Sequence, residues 1–313
     1  MMKIIINISI IITGLFLMIS CSEIPEDIHP DTVSMNLTVN ENDWVLVEKG
    51  EFISGLNENE NEVPYDYEIM VTEVTYSQYA EYLNSAIKEN LIEIEDGFIK
   101  GSYKGDAFHK MRHEFEILEG NYIYYNLNGI KCRMKYDDGI FSVREGYGKF
   151  PVAYVSWFGA NAYSLYYRYN LASLEEWEKA ARGGDNRTFP WGFEEPTPDI
   201  ANYHHSKDPF DHENAATPVG FYNGEKHGDF QTRNNKSVYG CYDMAGNVAE
   251  WIGTVQHGSH LRLIYGGSFM EYGYNLRSFT ENSSVPEYCS FQVGFRCTRK
   301  VDEESVESDQ ILH

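Results

Sequence analysis

The sequence predicts one loop-rich α+β domain, and three features carry that prediction. Aromatic residues make up 15% of the 313 positions, with 24 tyrosines, and 26 glycines cut the chain into short segments. Helical periodicity is confined to three short stretches, two of which open on a capping box. Long apolar runs are few beyond the N-terminus, which argues against repeated helices and against a doubly wound parallel sheet. A chain of this length that is 42% apolar can bury most of itself.

The elements follow in order. Trp44-Val45-Leu46-Val47 reads as a strand, followed by Gly50-Glu51-Phe52; residues 56–64, rich in Asn and Glu, read as a loop. The first helix starts after Thr75, with Gln78 completing the box. Tyr79, Tyr82, Leu83 and Ala86 then recur on one face. Residues 91–150 alternate Gly, Tyr and charge as short strands and turns do, and read as an insertion within the domain. A second helix starts at Ser156, with Trp157, Ala160 and Leu165 turned inward. Ser173 and Glu176 form the second box, Trp177, Ala180 and Ala181 face the core, and Gly183-Gly184 stops the third helix. Pro190-Trp191-Gly192 is a turn, and no helical period follows it up to residue 299.

The N-terminus carries its own message. Lys3 precedes an apolar run, Ile4 to Ile19, that is short for a membrane span and right for a signal-peptide core. Ser20-Cys21 at its end resembles a bacterial lipobox, so Cys21 is the expected lipidated residue. This divides the chain into a lipoprotein signal peptide (1–20), a flexible tether (21–42), a body (43–300) and an acidic disordered tail (301–313). The expected site of the body is the cell envelope, anchored to a membrane, the outer membrane being the expected one.

A net charge of −23 repels phosphate backbones and excludes nucleic acid as a partner. Cys132, Cys241, Cys289 and Cys297 remain, with three possible pairings in an oxidising compartment. No CxxC, GxSxG, P-loop or HExxH occurs.

Seven fragments then stand in a telling order: Glu73-Val74-Thr75 with Gln78-Tyr79; Pro151-Val152 to Val155-Ser156-Trp157; Leu171 to Trp177 with Ala180-Ala181-Arg182-Gly183-Gly184; Pro190-Trp191-Gly192; Asp243-Met244-Ala245-Gly246-Asn247-Val248-Ala249-Glu250-Trp251; Gly266-Gly267-Ser268-Phe269; and Gly294-Phe295-Arg296. Across residues 44–299 the chain resembles the formylglycine-generating-enzyme, or sulfatase-modifying-factor, family. The resemblance implies a variant of the C-type-lectin-like fold. Asn170 and Ala172 depart mildly from the family pattern.

One departure matters more. Active members carry two cysteines just past the "GGSW" element, and here those positions read Glu271 and Leu276. Copper–thiolate chemistry needs soft sulfur ligands, which a carboxylate and an isobutyl group do not supply. Copper is therefore not expected, and Cys289 and Cys297 are read as structural, either paired or free. The resemblance also implies structural calcium at Asp243, Glu250 and the carbonyls of Gly246 and Val248, and again at Asn202, Asp211 and the carbonyls of Tyr203 and Glu213. Hard oxygen donors suit that ion; an ordinary hydrogen-bonded turn is the alternative at both places.

Histidines offer less. His109, His113 and Glu116 miss by one position the HxxxHxE motif of the iron-dependent sulfoxide synthases that share this fold, and His204, His205 and His212 read as a surface cluster. Two functions stay open. One is a non-catalytic binding or scaffold lipoprotein that takes a peptide, glycan or partner protein, with Glu271, Tyr272, Tyr274 and Arg277 as pocket candidates. The other is an oxidase that makes formylglycine, or a related enzyme, through a non-standard site.

Overall fold

The computed structural model describes residues 33–204, 206–210 and 215–301. The signal segment, Cys21, the first part of the tether, His205, Asp211, His212, Glu213 and the tail from 302 lie outside those residues.

Strand β1 (Trp44–Val47) leads into a hairpin of β2 (Gly50–Ser54) and β3 (Asn59–Val63), then β4 (Tyr67–Met70). Residues 59–63, expected in a loop, form β3 because Gly50 to Ser54 pair with them across a turn at Gly55 (φ 67°). Asn and Glu disfavour strands on their own, so cross-strand pairing decides this segment.

Helix α1 (Tyr76–Lys88) carries the expected box: Thr75 Oγ1 accepts from the N–H of Gln78, and Gln78 Oε1 accepts from the N–H of Thr75. Tyr79, Tyr82, Leu83 and Ala86 are all buried on one face. The insertion follows as β5 (Ile92–Glu95), β6 (Phe98–Tyr103) and β7 (Gly120–Asn126) in one antiparallel sheet, then the hairpin of β8 (Met134–Asp137) and β9 (Ile140–Val143). It shares the core of the helices: Ile99, Tyr124, Tyr125 and Phe141 pack in one cluster with Tyr79 and Phe158. The Tyr79 ring alone meets Tyr82, Tyr125, Tyr163 and Phe295 with centroids 5.5 to 6.1 Å apart. Such rings supply both apolar area and a preferred mutual geometry.

Ser156 caps α2 (Trp157–Tyr166), and Trp157 and Ala160 are buried as expected. Leu165 is not; it is 60% exposed. It lies five residues past Ala160, about 140° further round the helix, and so leaves the core side. After β10 (Asn170–Leu171), Ser173 and Glu176 close the second box at the head of α3 (Leu174–Arg182), which ends on Gly183 at φ 64°. Trp177, Ala180 and Ala181 are buried.

A short hairpin of β11 (Lys226–His227) and β12 (Phe230–Gln231) precedes the second main sheet. That sheet holds β13 (Ala249–Val255), β14 (Arg262–Tyr265), β15 (Asn282–Ser284) and β16 (Val293–Gly294), in the order β15-β14-β13-β16, with β13 and β16 parallel. The last strand, β17 (Cys297–Lys300), returns to the first sheet, whose order is β1-β4-β17-β10. Thr298 there faces both Ile69 and Asn170, so the first and last strands of the body share one layer.

The tether is shorter than its composition suggested. Val33, Met35 and Leu37 pack against the main core, and Val39 lies against Gly220. Asn36 donates from its N–H to His227 Nδ1 at 3.0 Å, and its carbonyl accepts from Asn223 at 2.8 Å. Apolar residues at every second position from 33 to 39 are a strand-like signal hidden among polar neighbours. Deleting residues 33–40 should lower the free energy of unfolding by roughly 2–4 kcal/mol, from the apolar area uncovered. A urea titration that finds the truncated chain equal to the parent would restore the tether reading.

Candidate functional site

The segment from Gly266 to Arg277 holds Glu271 and Leu276, the two positions where the resemblance expects cysteines. Gly266 and Gly267 both take positive φ, 90° and 68°. A side chain at Gly267 would meet the carbonyl of Asn275 at 2.9 Å, and Glu271 Oε2 and Leu276 Cδ1 at 3.1 Å each. Glycine is thus required for the loop to fold back on itself.

Glu271 is fixed by its backbone. Its N–H donates to Ser268 at 3.0 Å and its carbonyl accepts from the N–H of His204 at 2.9 Å. Its side-chain Oε2 is buried and meets no hydrogen-bond partner among the described residues. Burial lifts this carboxyl above its ordinary range. Leu276 is 0% exposed and packs with Phe189, Ile200, Ala201 and Ala245. One of the two positions is therefore a core position.

Tyr272 and Tyr274 stand out at 67% and 65% exposure. Tyr272 meets the His204 ring edge-on at 4.6 Å. Arg277 forms no ion pair with Glu271; its guanidinium lies 3.4 Å from the Tyr274 ring centre and its Nε donates to the Tyr274 carbonyl. These rings form an open aromatic surface beside a carboxyl that burial shifts upward.

Beneath that surface lies a buried polar centre. Glu250 accepts from Arg296 Nε and Nη2 at 2.7 to 3.0 Å, and from the Trp177 indole at 2.8 Å. Arg296 also donates to the carbonyls of Met70, Val71 and Tyr242. Asp243 accepts from the N–H of Gly220 at 2.6 Å and from the Asn235 amide at 2.9 Å. Asn247 ties the pieces together: its N–H donates to Asn202, its Oδ1 accepts from the N–H of Thr217, and its amide donates to Glu73. Gly246 is needed here because a Cβ would fall 2.3 Å from the Asn202 carbonyl.

In the first expected calcium set, Glu250 is paired with Arg296 and both Asp243 oxygens accept from nitrogen donors, so the side chains already have protein partners. The second set is described only in part. Asn202 Oδ1 accepts from Ser206, its amide donates to the carbonyl of Ala215 across the loop's mouth, and the Tyr203 carbonyl accepts from Ser206.

The histidine motif does not form a helical face. Residues 104–118 are irregular, His109 pairs with Glu114 at 3.1 Å, and the carbonyl of His113 faces His260. Among the described residues no group of three or more His, Cys, Asp or Glu is placed to hold a metal. The four cysteines are free thiols. Cys241 and Cys297 are fully buried, and burial pushes the Cys241 thiol to about 11 and that of Cys289 to about 12. Thiols so displaced carry little thiolate at neutral pH.

Sequence reasoning missed Glu73, Asn247 and Arg296 as the joint of this centre. The signal was available, since all three sit inside matched fragments, but polar residues in a motif invite a chemical role before a structural one.

Comparison with known proteins agrees with this geometry. The family model for a sulfatase-modifying factor enzyme 1-like domain matches residues 30–301. A mouse protein named inactive C-alpha-formylglycine-generating enzyme 2 is 33% identical over 155 residues, 47% of this chain and 48% of that protein. The formylglycine-generating enzyme of Streptomyces coelicolor is 30% identical over 207 residues, 57% of this chain and 61% of that one. The chain thus spans about half the length of the first of these relatives and 61% of the second. PvdO from Pseudomonas aeruginosa shares the fold, with a TM-score of 0.53 at 21% identity over 82% of this chain and 94% of that one. No helix among the described residues is long and apolar enough to cross a membrane.

The buried centre has a pH signature. Burial, then Asp243, holds the Glu73 carboxyl well above its ordinary 4.5, against the pull of Arg296. The native state keeps a proton that the unfolded chain releases, so this group's contribution is full below about pH 4.5 and declines as pH rises. Glu73→Gln keeps the oxygen that Asn247 donates to and removes the titration. Relative to the parent, the variant should gain stability between about pH 5 and 8, measured as urea midpoints at fixed ionic strength. A difference independent of pH would show that Glu73 is ionised in the native state.

Proposed function

The chain belongs to the sulfatase-modifying-factor family, and we propose that this member is a non-catalytic binding protein of the cell envelope, held to a membrane by a lipid on Cys21. The observation that carries the reading is the pair of side chains at the two cysteine positions. Glu271 is a half-buried carboxylic acid whose Oε2 is enclosed, and Leu276 is a core residue. Neither offers the soft sulfur that copper and oxygen chemistry on a thiol requires. The other cysteines give no substitute, because burial disfavours their thiolates.

The aromatic surface of Tyr272 and Tyr274 suits recognition of a partner. Exposed rings held in place lose little entropy on contact and supply large area. The occupant would be a peptide, a glycan or a partner protein. The apolar run before Cys21 supports export and anchoring, and the charge of −23 favours a soluble body that avoids nucleic acid.

The test is a conversion assay. The full chain is incubated with copper, oxygen and a peptide that carries the sulfatase cysteine motif, beside an active family member. Mass spectrometry should show no loss of cysteine and no gain of aldehyde. Turnover above the background of the peptide alone would make the protein an enzyme with an unfamiliar site.

A calcium ion across the Asn202–Glu213 loop belongs to the same proposal. Held at 100 times its dissociation constant, it would add about 2.7 kcal/mol of stability. The thermal midpoint should then fall in EGTA and recover with calcium but not with magnesium. Equal midpoints in both would remove the ion from the account.

A further inference from the structure

A second surface, remote from the Gly266–Arg277 loop, has the build of a ligand site. Between the insertion sheet and the heads of α2 and α3 lies an open groove of about 930 Å³. That is the upper end of the roughly 300–1,000 Å³ seen for small-molecule sites.

Its walls are aromatic and rigid. The Trp157 indole donates to the Ile252 carbonyl at 2.9 Å. The Tyr65, Tyr103 and Tyr166 hydroxyls donate to Glu176, Asp106 and Glu89 at 3.1, 2.5 and 2.8 Å. Each ring is thus held by its polar tip, and a ligand stacking there orders little that is not already ordered.

Polar reach comes from side chains. The carboxamides of Asn161 and Asn170 line the groove and make no hydrogen bond to the described residues. Strand β10 runs along it as the edge of its sheet, and just past it the Gly253 N–H donates to the Ala172 carbonyl at 2.8 Å. That leaves an edge of two residues, too short to seat an added peptide strand.

Charge narrows the choice. The carboxylate of Glu176 is taken up by Ser173, Tyr65 and Thr298. Lys104 and Lys300 remain, neither with an acidic partner among the described residues, and Lys300 Nζ sits 4.2 Å from the Tyr65 ring centre. In a chain of net charge −23, two such lysines in one groove favour an anionic ligand.

Rings for the C–H faces of sugars, amides for hydroxyls and ammonium groups for carboxylates describe one ligand class. We propose that this groove binds an oligosaccharide bearing uronate groups. The proposal names a ligand for the binding reading above, and the two can fail separately: the conversion assay tests the absence of catalysis, and a binding experiment tests the groove.

That experiment is calorimetry on the full chain with tetrasaccharides of polygalacturonate and of alginate. Cellotetraose and an acidic peptide of similar length serve as comparisons. At least one uronate should bind, at least tenfold more tightly than cellotetraose, and more weakly as salt rises. Lys300→Gln and Asn161→Ala should each weaken it about tenfold with an unchanged unfolding midpoint, while Lys135→Gln, exposed on the β8–β9 hairpin, should leave it alone. No binding of either uronate overturns the proposal. So does binding that ignores both groove variants, or a preference for the acidic peptide.

Discussion

The ion pair of Glu250 and Arg296 is the constraint on which the rest of the structure depends. Both side chains are almost wholly buried. Arg296 arrives just before β17, Glu250 stands on β13, and the remaining guanidinium protons reach the end of β4 and the Tyr242 carbonyl. The indole of Trp177 brings α3 to the same point. Removing one member of such a pair leaves the other charged and unpartnered, at a cost of about 3–5 kcal/mol. The two main sheets and the third helix must therefore be assembled together before either charge is satisfied. Asn247 repeats the logic one layer out, where a single amide side chain joins Thr217 and Glu73 while its backbone holds Asn202.

This frame explains how the loop beside it can change content without loss of shape. Gly266 and Gly267 supply the backbone path, and the centre below holds the loop's first end, where the Gly246 N–H donates to the Gly266 carbonyl and the Phe269 N–H to the Asn247 carbonyl. Leucine at 276 joins the small cluster with Phe189 and Ala245. Glutamate at 271 sets its carboxyl, shifted upward by burial, against Gly267. On the proposed reading the loop keeps its backbone path while the soft sulfur ligands are replaced, as fold and function are separable.

Much of this was legible from residues alone. Both capping boxes, the buried faces of α1 and α3 and the stop at Gly183 follow from local rules that tertiary contacts did not override. The strand at 59–63 was hidden because its residues have no strand preference and owe their state to β2. The packing of residues 33–39 was hidden because polar neighbours masked an alternation of period two. Leu165 was misplaced because a short helix was given a wider buried face than it has. At the site, the resemblance names the two replaced positions, but not that one is half-buried in the loop and the other in the core. Nor does any local pattern reveal the groove between the insertion sheet and α2, which exists only once residues 65, 103, 166 and 300 meet.

The most direct measurement is a titration of the full chain with cuprous ion against a competing chromophoric chelator under anaerobic conditions. On the proposed reading, positions 271 and 276 are where copper would need thiolates, so the parent should leave the chelator loaded. A Glu271→Cys, Leu276→Cys double variant should draw copper from it in a one-to-one ratio. Tight one-to-one uptake by the parent itself would contradict the account, since it would mean that buried thiols elsewhere in the fold assemble the centre that these two positions lack.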